Sequence, residues 1–167
     1  MIISKNYTTI ILISLVLVFT SLNGNSSELF KDLSIYPLGY VRHFELAPKV
    51  NDGNLNYFAV SKTRKKNAWR FESGVGTFVD SYHKRAYIFF SDISHENYQY
   101  GLFRPVLNVH CAYKGHSSNE DDRKLQCYPS FKLRVGNKKG LFINLIPIPK
   151  VGGVTNGLMA FEIGYKF

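Results

Sequence analysis

The chain has 167 residues, 45% hydrophobic and 15% aromatic, and 21 Lys and Arg against 12 Asp and Glu give it a formal charge of +9. That length suits one domain. Beyond residue 19 no apolar stretch approaches the roughly 20 residues a membrane-spanning helix needs.

The N-terminus sets the expected compartment. Lys5 is the one charged side chain ahead of Ile10–Phe19 (IILISLVLVF), a run apolar apart from Ser14, and the polar stretch Thr20–Ser27 follows with small residues. A basic start, an apolar core of about ten residues and small residues near a cut make a secretory signal peptide. A retained anchor is the weaker reading, because the run is short for a bilayer. The cut is expected near Gly24 or Ser26, and no Cys stands beside it to carry a lipid. The expected organisation is therefore a signal peptide over 1–25 and a single domain over 26–167, opened by a short helix over 26–34 (SSELFKDLS).

A secreted basic chain meets anionic lipid head groups and lipopolysaccharide phosphates before it meets nucleic acid. The run Lys62, Arg64, Lys65, Lys66 has the composition of a nucleic-acid patch. Behind a signal peptide it reads as a solvated turn, and no nucleic-acid partner is expected.

From Leu38 onward, segments rich in Tyr, Phe, Ile and Val alternate with turn material such as PKVNDGNLN, TRKKNA, NKKG and VGGVTN. Eight strands are expected, over 38–47, 57–62, 69–78, 85–94, 100–114, 125–135, 141–149 and 157–167. The last strand puts Met159, Phe161, Ile163, Tyr165 and Phe167 on one face and Leu158, Ala160, Glu162, Gly164 and Lys166 on the other. Trp69, Phe71, Val75 and Thr77 oppose Arg70, Glu72, Gly74 and Gly76 in the same way, and Phe131, Leu133 and Val135 oppose Lys132 and Arg134. An apolar, aromatic outside with charge inside inverts a soluble barrel and suits lipid contact. Connection lengths agree. The turns 63–68, 95–99 and 136–140 fall at one end, expected to be periplasmic; the longer 48–56, 115–124 and 150–156 fall at the other, with 79–84 the short exception. The expected fold is all-β: an eight-stranded antiparallel transmembrane β-barrel in a Gram-negative outer membrane, too narrow for an open solute pore. A soluble lipocalin-like barrel is the structural runner-up.

Two cysteines fit an oxidising compartment. Cys111 and Cys127 each lie eight residues from Asn119, at the centre of the polar loop GHSSNEDDRK. A symmetric hairpin puts them opposite one another, where Cβ atoms are about 4.5–5.5 Å apart and a disulfide closes. Two unpaired thiols are the alternative.

The connection after the third strand reads Phe78-Val79-Asp80-Ser81-Tyr82-His83-Lys84. Phe78, Asp80, Ser81 and Lys84 resemble the F-x-D-S-x-x-K segment of the lipid A palmitoyltransferase family (PagP-like outer-membrane acyltransferases). Leu145-Ile146-Pro147 is similar to that family's Tyr-Ile-Pro strand end, and Asn156-Gly157 followed by an alternating strand ending in Phe167 resembles its last strand. Asp32-Leu33, Ile35, Pro37 and His43 resemble the family's approach to its histidine, with one extra residue between proline and histidine. The chain departs from the family in its single tryptophan, Trp69, and in carrying Cys111 and Cys127.

The resemblance implies transfer of an acyl chain from a phospholipid donor to lipid A as acceptor, by a monomer that needs no cofactor. It implies a catalytic set of His43, Asp80 and Ser81 at the extracellular rim, with the acyl chain inside the upper barrel beside the inward-facing Gly74 and Gly76. Arg70, Glu72, Arg104, Arg134, Glu162 and Lys166 then form a charged floor, where burial demands pairing. The chemistry is coherent, since a hydroxyl attacks poorly until a base takes its proton. Taken alone, an Asp-Ser pair in a loop is turn chemistry, both side chains bonding nearby backbone. His83, His95, His110 and His116 have no metal-ligand spacing, and no metal is expected. Lipid A deacylation, which uses an H-x-S-N segment, finds only Val154-Thr155-Asn156-Gly157 in the corresponding region. The alternative outside enzymology is a small outer-membrane barrel with a structural or surface-interaction role.

Overall fold

The computed structural model describes residues 30–44, 53–80, 83–115, 123–151 and 155–167. The chain divides into two units, Met1–Lys31 and Asp32–Phe167. Of the first, Phe30 and Lys31 alone are among the described residues, so the expected signal peptide lies outside them.

The second unit is a closed antiparallel barrel. Its strands are β1 (Leu33–His43), β2 (Gly53–Asn54), β3 (Phe58–Lys66), β4 (Trp69–Val79), β5 (Arg85–His95), β6 (Phe103–Gly115), β7 (Arg123–Gly136), β8 (Gly140–Val151) and β9 (Thr155–Lys166). Each long strand pairs with the next, and β1 pairs with β9 to close the wall. Eight strands form that wall as expected; β2 is a two-residue addition to the edge of β1, through Tyr40↔Asn54 and Val41↔Gly53.

Three expectations about element ends need correction. β1 begins at Leu33 rather than 38, because Pro37 does not end the strand. It sits where the β1–β9 register shifts between Ile35 and Leu38, and a bulge accommodates a residue with no N–H to donate. The expected helix over 26–34 is overridden at its C-terminal end, since Leu33 and Ser34 are already strand, while 26–29 lie outside the described residues. The basic run is not a turn: Thr63–Lys66 continue β3 and pair with Trp69–Glu72. The turn itself is Asn67-Ala68, with Asn67 at φ 55, the left-handed backbone that two-residue hairpins use.

Alternation sorts the side chains as expected. Outside stand Tyr87, Phe89, Leu107, Val109, Leu125, Phe131, Leu141, Ile143, Ile163 and Tyr165, all more than a third exposed. Inside, Arg70, Glu72, Asp92, Arg104, Lys132, Arg134, Glu162 and Lys166 are buried. This is the arrangement a barrel needs to stand in lipid.

The inward charges form one network that reaches all eight wall strands. Arg134 (β7) donates to Glu72 (β4) at 2.7 Å, Asn144 (β8) at 2.8 Å and the Tyr36 hydroxyl (β1) at 3.0 Å. Tyr36 and Ser61 (β3) donate to Glu72, and Asn144 donates to Glu162 (β9) at 2.8 Å. Lys132 (β7) pairs with Asp92 (β5) at 2.9 Å, and Asn108 (β6) donates to Asp92. The rings of Phe90 and Phe142 pack edge-on against Tyr36, under Lys132 and Arg134 respectively. Nearer the end that carries the Asn67-Ala68 turn, Lys166 donates to Thr63 at 2.6 Å, and Arg70 donates to Glu96. Those bonds and the arginine's charge hold the Glu96 carboxyl below its usual range.

Candidate functional site

Above the charged layer, towards the end where β1, β4, β6 and β8 finish, the inward positions become small: Gly39, Ala59, Ala86, Ala112 and Ala160. Side chains of that size cannot fill the centre of an eight-stranded barrel. A chamber of about 110 Å³ remains. Its walls are Val41, Leu55, Phe78, Ile88, Ile146, Ile148 and Leu158; Tyr57, His110 and Glu162 border it below, and Asp80, Lys114 and Gly115 above. Gly39 is required for this shape, because a Cβ there would lie 2.7 Å from the Cβ of Tyr57.

The wall beside the chamber is only partly paired. β6 and β7 are joined along thirteen register pairs, from Phe103↔Val135 to Gly115↔Arg123. The β7–β8 ladder covers Leu133–Gly136 against Phe142–Leu145 and stops, although β7 continues to Arg123 and β8 to Val151. Tyr128 on β7 and Ile146 and Ile148 on β8, all beyond the end of that ladder, line the chamber. Pro129 and Pro147 lie on these stretches, and each faces its other neighbour, Val109 and Met159. A proline has no N–H for a ladder, so it is tolerated on a side of a strand where no ladder runs.

The residues carried over from the family resemblance divide. Asp80 is buried and stands at the chamber's upper border. Its carboxylate accepts the backbone N–H of Lys84 and of Gly115, both at 2.9 Å, which ties Lys84 to the top of β6. His43 is the last residue of β1, opposite Leu158 of β9, on the same rim but not among the residues that line the chamber. Ser81 lies outside the described residues. The two glycines need correction as chamber residues, because neither lines it. A Cβ on Gly74 would lie 2.3 Å from the Phe90 ring, and one on Gly76 would lie 2.5 Å from the Cβ of Ala59. Gly74 makes room for a core aromatic, and Gly76 for close approach of β3.

Cys111 and Cys127 form a disulfide between directly opposed residues of β6 and β7, Cα atoms 4.0 Å apart. Both occupy outward positions, and Cys127 lies on the stretch of β7 beyond its ladder to β8.

Sequence reasoning set His110 aside for want of metal-ligand spacing and passed over Lys114. Both share the inward parity of Arg104 along β6, which was the available signal. His110 is buried against Asn108 and edge-on to the Tyr128 ring, 4.5 Å between centroids.

No protein-family model matches the chain, and no curated protein does. Among solved structures the chain is similar to the Yersinia pestis outer membrane protein Ail, determined in a phospholipid bilayer nanodisc. The identity is 14%, the match covers 82% of this chain and 99% of that one, and the TM-score is 0.47.

Proposed function

We propose that this protein stands in the outer membrane of a Gram-negative bacterium, admits part of one lipid hydrocarbon chain sideways into its upper interior, and transfers that acyl chain from a phospholipid to lipid A. One observation carries the reading: the apolar chamber lies where the β7–β8 ladder stops. A hydrocarbon segment moving from lipid into that chamber leaves one apolar surrounding for another and meets no charged layer on the way. The network around Arg134 closes the route below it. His43 and Asp80 stand at the upper rim, and Ser81 joins them through the family resemblance; the histidine takes the proton of the attacking lipid A hydroxyl, whose oxygen forms the new ester as the phospholipid ester breaks and the lysophospholipid leaves with that proton.

The deciding experiment is mass spectrometry of lipid A from cells with and without the protein. A gain of one acyl chain that depends on the protein supports transfer, a loss of one points to deacylation, and identical lipid A defeats both.

A second reading, a non-enzymatic outer-membrane barrel with a structural or surface role, has specific support. Both carboxylate oxygens of Asp80 already accept backbone N–H groups, which is sufficient reason for that residue. The chamber of about 110 Å³ is also small. An apolar cavity of about 150 Å³ takes one benzene, so this one takes a few methylene groups rather than a long chain. Lipid A unchanged by the protein, together with wild-type behaviour of Ser81→Ala, favours this reading.

A further inference from the structure

Most inward-facing cations of the barrel have a carboxylate partner. Arg134 has Glu72, Lys132 has Asp92, Lys166 has Asp32 at 3.6 Å, and Arg70 has Glu96. Lys114 does not follow this pattern. It lies on the inward face near the top of β6, four residues beyond His110, and borders the chamber. Among the described residues it makes no ion pair or hydrogen bond, and Asp80 borders the chamber beside it. The Asp80 oxygens are already engaged by the N–H groups of Lys84 and Gly115.

We propose that Lys114 anchors the carboxyl end of a single-chain fatty acyl ligand whose first methylenes lie against Ile88, Ile146 and Ile148. This rests on the reading that the chamber holds hydrocarbon. An ammonium beside apolar walls is costly to desolvate unless oxygen atoms meet it. A fatty carboxyl group supplies both halves of the fit, oxygens for Lys114 and methylenes for the isoleucines. The apolar lining narrows the class further, because a phosphate group brings no hydrocarbon to Ile88, Ile146 and Ile148, whereas an acyl carboxyl carries its methylenes directly attached. Lys114 is a specificity residue in this account, and no bond to it forms or breaks.

The test uses the mature protein refolded in phosphatidylcholine nanodiscs, with carbon-13-labelled decanoate and decanol as probes, at mildly alkaline pH. Wild type should bind decanoate roughly tenfold or more tightly than decanol, the ratio expected of a charge-assisted hydrogen bond. Lys114→Met should erase that preference, bringing decanoate affinity down to that of decanol, and Lys114→Arg should keep most of it. Ile88→Trp, which fills the chamber, should abolish binding of both probes. If decanol binds and is displaced by Ile88→Trp, but decanoate is not preferred or stays preferred in Lys114→Met, the Lys114 assignment is overturned and the chamber reading stands. If neither probe binds wild type, the chamber reading fails and the assignment falls with it. A Lys114→Met protein that fails to migrate as a folded barrel without heating marks Lys114 as a structural residue and also overturns the proposal.

Discussion

Arg134→Met tests whether the charged layer holds the barrel together. Arg134 spends three donors, on Glu72 at 2.7 Å, Asn144 at 2.8 Å and Tyr36 at 3.0 Å, and stands 3.5 Å from Asp92. Methionine keeps much of the volume but removes the charge, so Glu72 loses its cationic partner and Asp92 loses one of two. Removing one partner of a buried pair costs about 3–5 kcal/mol, because the remaining charge is left uncompensated. The assay is denaturant unfolding of refolded protein in micelles, followed by fluorescence of Trp69, the only tryptophan. The double variant Glu72→Gln with Arg134→Met removes the stranded charge and should recover about 0.5–3 kcal/mol relative to the sum of the singles. A cost below about 1 kcal/mol for Arg134→Met, or strict additivity in the double variant, refutes the view that these groups act as one network.

Phe89 is half exposed on the outer wall, so Phe89→Arg should cost about 2–4 kcal/mol in bilayers if it faces the midplane; an unchanged stability in lipid removes the membrane orientation. His43→Ala should lower acyl transfer to lipid A by about 10²–10⁴-fold with the barrel still folded, Ser81→Ala by at least as much, and His83→Ala not at all. If His83→Ala alone abolishes transfer, the base has been misassigned. Reduction of Cys111–Cys127 should speed backbone hydrogen exchange in Arg123–Lys132 while Leu133–Gly136, paired on both sides, keep their protection. Equal protection before and after reduction would mean that the β6–β7 ladder needs no covalent help.

The wall was legible in the sequence because every strand carries a period of two with opposite chemistries on its faces. Glu162 and Lys166 against Ile163 and Tyr165 fixed which side of β9 is inside, and the structure agrees. The disulfide was legible because a symmetric hairpin turns equal spacing into opposition. The start of β1 was not, since Pro37 reads locally as a strand breaker and only the β9 partner reveals the bulge. Nor was the chamber. Its cause is the coincidence of Gly39, Ala112 and Ala160 from three strands, which pair or face one another only once the barrel closes. Gly74 and Gly76 were plausible chamber residues by alternation, but what fills the space beside them, Phe90 and Ala59, is set by cross-strand register. The interruption between β7 and β8 left only a faint trace, Pro129, Pro147 and Pro149 on adjoining strands.

A strand with one bonded neighbour offers its remaining N–H and C=O groups to any passing chain, and this is the usual way β proteins aggregate or exchange segments. The upper part of β7 lies beyond its ladder to β8, and Pro129 removes one donor from it. Cys111–Cys127 does more, because it turns β6 and the upper β7 into a covalently closed ribbon. The two cysteines belong to one hairpin, sixteen residues apart, so the bond needs only that hairpin and not the finished barrel. Oxidation before insertion would deliver the ribbon to the membrane already closed, with β7 unable to detach and recruit a neighbour while the other strands assemble. The stretch of β7 beyond its ladder to β8 then survives biogenesis because it belongs to a ring.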